Sequence, residues 1–169
     1  MPDPMSEDRP MTGTEQRVAL NDPAAHAAAE TVAAELAAQL QLGGNAMDAD
    51  VYDAWFAADI LWGSPYGATL AGFTELNAIH RRFMNQSPST TPAPAPASRF
   101  EVVSVLAPTP GVVVTQIRRQ ALAAGGFSEM ALYVLVEREG RWWLAAAQNT
   151  PIGQPPRNRT QVPVASTKP

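Results

Sequence analysis

The sequence predicts an α+β fold: three N-terminal helices, then a curved antiparallel β-sheet packed on them. Three observations carry this. Helical spacing of apolar residues is confined to the first half of the chain. The second half holds four long strand-like stretches separated by glycine and proline turns. Helices first and strands later, within one small unit, is the α+β pattern. The 169 residues, 46% of them hydrophobic, also suit one domain with a buried core.

The first helix begins at Asp22, a side chain suited to capping, followed by Pro23, which loses no hydrogen bond in a first turn. Val32, Leu36 and Leu40 recur every four residues beside Ala29 and Ala33, making one apolar face. Gly43-Gly44 is expected to end the helix, since glycine accepts the left-handed conformation of a C-terminus. A short second helix starts at Asp48, with Val51, Trp55 and Ala58 on one face. Ile60, Leu61 and Trp62 then read as a strand, Gly63 to Gly67 as a turn, and Thr69-Leu70 as the returning strand of a small hairpin. In the third helix Leu76, Ile79 or His80, and Phe83 share a side.

Residues 87 to 97 carry four prolines and are expected to connect the halves as an extended segment, lid or spacer. Arg99 to Ala107, Val112 to Leu122, Phe127 to Arg138 and Arg141 to Asn149 read as strands in a meander. In the third of these, Met130, Leu132, Val134 and Val136 point one way, and Ala131, Tyr133 and Leu135 the other. Both faces are apolar, so a second copy of the chain is expected to cover the outer one, giving a homodimer. Residues 1 to about 20 are expected to be a disordered leader and 151 to 169 a flexible tail, leaving 21 to 150 as the folded domain.

Composition excludes several functions. The net charge of -4 and two isolated arginine pairs, Arg81-Arg82 and Arg118-Arg119, do not suit a nucleic-acid binder. With no cysteine there is no disulfide, zinc-thiolate site or thiol nucleophile. No apolar run reaches membrane-spanning length, and the polar N-terminus lacks the apolar core of a signal peptide. The expected location is the cytoplasm, without membrane contact. Asp48, Asp50 and Asp53 lack the glycine and glutamate of a calcium loop, and His26 with Glu30 is too few ligands for a metal. No metal and no cofactor are implied.

Two stretches carry a resemblance. One runs from Asp53 to Trp62, continues through Gly67 to Gly72, and leads into a helix ending His80-Arg81-Arg82-Phe83. The other is Glu139-Gly140-Arg141-Trp142-Trp143-Leu144 followed by Gln148-Asn149-Thr150-Pro151. Their order and spacing resemble the SgcJ/EcaC family, within the nuclear transport factor two-like superfamily that also holds SnoaL-like cyclases and ketosteroid isomerases. The resemblance spans roughly Ala27 to Thr150. It implies a cone-shaped α+β fold with a hydrophobic pocket, and a setting near antibiotic biosynthesis genes. The isomerase chemistry does not carry over. Ser64 stands at the position matching the proton-shuttling aspartate, and Leu132 near that of the acidic oxyanion donor.

The remaining candidates follow from residue type. His80 could act as general acid or base, since histidine titrates near neutrality. Asp59 could be its carboxylate partner, or simply a turn residue. Trp62 and Tyr66 flank the hairpin and could hold a flat ring system, as could Trp55 and Trp143, unless these pack in the core. Gln148 and Asn149 close the last strand, and one of them could offer a polar contact to a ligand. Arg118 or Arg119 could bind an anion, or form a salt bridge to Glu101, Glu129 or Glu137. The expected function is binding of a hydrophobic small molecule, a polyketide-like or aromatic biosynthetic intermediate. Cofactor-free acid-base chemistry of cyclase, isomerase or dehydratase type is compatible with it. A non-catalytic accessory protein for a biosynthetic enzyme, or an association module acting through the dimer face, are the alternatives.

Overall fold

The computed structural model describes residues 17–84 and 97–153. The expected leader up to residue 16, most of the proline-rich connection (85–96) and the tail from 154 lie outside the described residues. No helix among the described residues is long and apolar enough to cross a membrane.

Helix α1 spans Pro23–Ala46. Asp22 caps it by accepting a bond from the Ala24 amide at 2.9 Å. Its buried face is Ala29, Val32, Ala33, Leu36, Ala37, Leu40 and Gly43, the period-four stripe read from sequence. The helix does not stop at Gly43-Gly44. It runs three residues past Gly43, and Met47 takes the left-handed conformation, φ 52°, at its end. Gly43 serves a different need, because the backbone of Tyr52 lies directly against it. A side chain there would hold the next helix away.

That helix, α2, is one turn only, Ala49–Tyr52, capped by Asp48. The expected helical face through Trp55 and Ala58 does not form. Strand β1 begins at Phe56 and runs to Gly63. Pairing overrides local propensity there: the Leu144 amide bonds the Trp55 carbonyl at 2.7 Å, and Phe56 and Ile60 become buried. Strand β2 (Thr69–Ala71) returns as the expected hairpin, and α3 spans Phe73–Met84. Leu76 and Asn77 are its buried residues, with His80 nearly so, whereas Phe83 turns outward.

Strands β3 (Ser98–Thr109), β4 (Val112–Ala121), β5 (Glu129–Arg138) and β6 (Arg141–Pro151) form the expected antiparallel meander. The sheet order is β2-β1-β6-β5-β4-β3. The one parallel junction among these strands joins β1 to β6. Register shifts interrupt the β1/β6, β3/β4 and β5/β6 ladders. Such bulges bend strands, which gives the unclosed sheet its curl around the helices. Helix α1 lies across β3, where Asn21 and Asp22 bond the Ala107 backbone.

The curl separates two faces. On the inner one, burial deepens along β5 from Glu129, with 15% of its side chain exposed, through Ala131 and Tyr133 to Leu135 at 0%. On the outer face Leu132 is 44% exposed, and Leu61 of β1 is 61% exposed.

Candidate functional site

Helix α3 and the short α2 bring together a buried ion-pair geometry that the sequence reading did not assign. His80 Nδ1 lies 2.6 Å from Asp53 Oδ1. The Asp53 side chain is fully buried, and 14% of the His80 side chain is exposed. A carboxylate accepts only, so the bond fixes the proton on Nδ1 and leaves Nε2 for a second partner. Asp59, the expected partner, sits on β1 with its side chain exposed. The turn after α2 points Asp53 at α3 and carries Asp59 past it.

Aromatic rings surround the imidazole. Trp62, Tyr52 and Phe56 have centroids 5.4, 5.5 and 6.1 Å from it, in edge-to-face arrangements. Trp62 is thus brought into contact with His80. From the sheet, Glu129 and Arg119 face the same interior, with Arg119 Nε 3.3 Å from Glu129 Oε1. Burial lifts the Glu129 carboxyl above the ordinary glutamate range, against the pull of Arg119 and His80. Beneath them the hydroxyls of Tyr52 and Tyr133 meet, and burial holds both phenols protonated well beyond the usual tyrosine range.

Asn149, not Gln148, turns inward. It is 3% exposed and donates from Nδ2 to the Gly63 carbonyl at 2.9 Å. Its Oδ1 is buried without a partner among the described residues. Gln148 is exposed, with its amide bonded to the Asn149 and Ser64 carbonyls. Arg118 lies on the outer face, opposite Met130, with Glu101 at 3.8 Å. The inward arginine is Arg119. It shares parity with Ile117 and Val113, both buried, and that alternation was the signal for it.

Other candidates fall elsewhere. Tyr66 is 80% exposed at the rim, 5.8 Å from the Phe127 ring, under which Arg119 sits at 5.7 Å. Trp55 packs against the core. Ser64 Oγ accepts bonds from the Tyr66 and Ala68 amides and so builds the hairpin turn. Trp143 points to the outer side with the Arg141 guanidinium 4.0 Å over its ring. It joins Asp59 in a groove of about 710 Å3, lined also by Asp53, Phe56, Phe73 and Arg81. This groove lies behind the Asp53–His80 pair. Trp62, Tyr66 and His80 do not line it. The inner face at Ala131 and Tyr133 is closely packed, each 2% exposed, whereas Arg119, Glu129 and His80 keep part of their side chains exposed.

Solved structures share the fold. A cystatin-like domain of unknown function from Nostoc punctiforme matches with a TM-score of 0.61 at 17% identity, covering 75% of this chain and 79% of that one. An NTF2-like protein of unknown function from Shewanella oneidensis gives 0.59 at 13%, covering 72% and 98%. The fold is NTF2-like. A DUF3225-family protein of unknown function from Pectobacterium atrosepticum gives 0.58 at 14%, covering 79% and 99%. No family model and no curated protein matches the sequence. These likenesses speak for the NTF2-like fold alone, and function has to be argued from the site.

Proposed function

We propose that this protein binds a small, ring-bearing, largely apolar molecule at the rim of the cone and moves a proton on it with His80. The observation that carries the reading is the buried Asp53–His80 pair inside a ring of aromatic side chains. Asp53 holds the Nδ1 proton and would stabilise the imidazolium, so Nε2 serves as base and then as acid. The Trp62 ring gives a flat wall, and Glu129 with Arg119 gives a polar one. Cyclisation, isomerisation and dehydration can each run on such a proton shuttle without a cofactor. The ligand would be a polyketide-like or aromatic biosynthetic intermediate, the class that the SgcJ/EcaC resemblance implies.

The base is tested with 5-nitrobenzisoxazole. Removal of its ring C–H proton by Nε2 breaks the N–O bond and releases a coloured cyanophenolate. The wild-type protein should accelerate the reaction, His80→Ala should fall to the buffer rate, and Asp53→Asn should lower kcat more than it changes KM. A His80→Ala rate equal to wild type would remove the acid-base role. Native mass spectrometry of protein from its producing cells would then report whether a small molecule is bound at all.

A second role has its own observation. Leu61 and Leu132 are exposed on the outer sheet face, at a shallow groove of about 520 Å3 between the hairpin and β5. A homodimer through this face would cover them. Sedimentation should show a dimer that Leu132→Glu dissociates. A wild-type monomer at all accessible concentrations would refute it.

A further inference from the structure

We infer that Asn77 is a positioning residue for His80, acting through the Asp53 carboxylate; this rests on the acid-base reading of the same site. Asn77 is 6% exposed in the middle of α3. Asparagine is a poor helix former, so helix stability does not explain it there. Its two Nδ2 protons are both used. One goes to Asp53 Oδ2 at 3.0 Å, the other to Asp50 Oδ1 at 3.1 Å. Both partners are carboxylates and only accept, so the orientation of the amide is fixed.

The arrangement follows from helix spacing. Asn77, His80 and Arg81 stand at i, i+3 and i+4 on α3, one side of the helix. They meet Asp50 of α2 and Asp53 just after it, three residues apart. Arg81 forks onto Asp50 with bonds of 2.8, 2.8 and 3.0 Å. These bonds, then that of Asn77, hold the Asp50 carboxyl below the ordinary aspartate range. Arg81 therefore neutralises the outer carboxylate while Asn77 bridges to the inner one. With Oδ2 bound to Asn77 and Oδ1 to His80, the plane of the Asp53 carboxylate is set from both ends. The imidazole is held with Nδ1–H toward Asp53, among the rings of Tyr52, Phe56 and Trp62. Among the described residues Glu129 of β5 also acts on His80, and it is paired with Arg119 of β4.

The test reads the His80 ring nitrogens by 15N NMR at a pH where the imidazole is neutral. Wild type should show the Nδ1–H tautomer. Asn77→Leu keeps the volume and removes both donors. Loss of one hydrogen bond to a charged acceptor frees the Asp53 carboxylate to turn, and exchange of the His80 Nδ1–H with solvent should quicken about tenfold. Benzisoxazole kcat should fall with it, while KM stays. Wild-type protein in the Nε2–H form would overturn the inference without any variant, even if Asn77→Leu failed to fold. So would an unchanged Nδ1–H exchange rate in folded Asn77→Leu. If the exchange quickens but wild type shows no turnover, the positioning role stands and the acid-base reading falls. If His80→Ala abolishes turnover and Asn77→Leu changes neither exchange nor rate, the reverse holds.

Discussion

Neighbouring glycines in α1 should respond to the same substitution with opposite sign. A Cβ built on Gly43 would stand 2.7 Å from Tyr52 Cβ and closer still to the Tyr52 backbone nitrogen and Cα. Backbone cannot swing aside as a side-chain tip can. Restoring ordinary contact distance means moving α2 off α1 by about 1 Å. Overpacking of this kind costs about 1–3 kcal/mol. Gly44 meets only the Phe100 ring, at 3.7 Å, an ordinary contact. There alanine should recover most of the roughly 1 kcal/mol that glycine costs a helix interior. At about 3–6 °C per kcal/mol for a domain of this size, Gly43→Ala should lower Tm by about 3–18 °C and Gly44→Ala should hold or raise it slightly. Thermal unfolding by circular dichroism measures both. Because Tyr52 and Asp53 travel with α2, Gly43→Ala should also lengthen the 2.6 Å contact to His80 and weaken benzisoxazole turnover. A Gly43→Ala protein that melts at or above wild type would show that the two helices are not in close backbone contact, and would refute this reasoning.

Two further outcomes are expected. Burial raises the Glu129 pKa in the folded state, so the protein loses stability as pH rises above the ordinary glutamate value of 4.5. Glu129→Gln should therefore raise Tm at neutral pH, with the gain vanishing in acid below that value; a constant gain at all pH would contradict the cause assigned. Asp53→Ala leaves the donors of Asn77 and His80 facing an empty buried position, and should cost about 3 kcal/mol in urea unfolding, more than any exposed Asp→Ala change.

Much of the fold is legible because its signals are local. The spacing of Val32, Leu36 and Leu40 and the alternation of Ala131, Tyr133 and Leu135 each report burial on one face, and both faces are where the pattern puts them. The Gly-Gly pair misleads because a glycine needed for close approach looks identical to one needed for a left-handed end. The length of α2 is hidden because Trp55 to Ala58 has helical spacing, while the strand partner that claims Phe56 lies far along the chain, at Leu144. His80 and Trp62 stood out by chemistry and do meet. Asp53 did not, since a carboxylate one residue past a short helix resembles a cap. Only the packing of α3 on α2, a contact across 27 residues, distinguishes it from Asp48, which is the cap.

The parallel β1–β6 junction sets an order of assembly. The hairpin that carries Trp62 finds its inner neighbour only when the last strand has been made, and the Asn149 side chain ties that strand to Gly63. During synthesis the helical half therefore waits with an unpaired strand edge, the kind of surface that chaperones cover. Such end-to-beginning contacts make folding slow for the chain's length. A chain cut before β6 would keep every residue of the Asp53–His80 pair and still lack the strand that closes the sheet beside it.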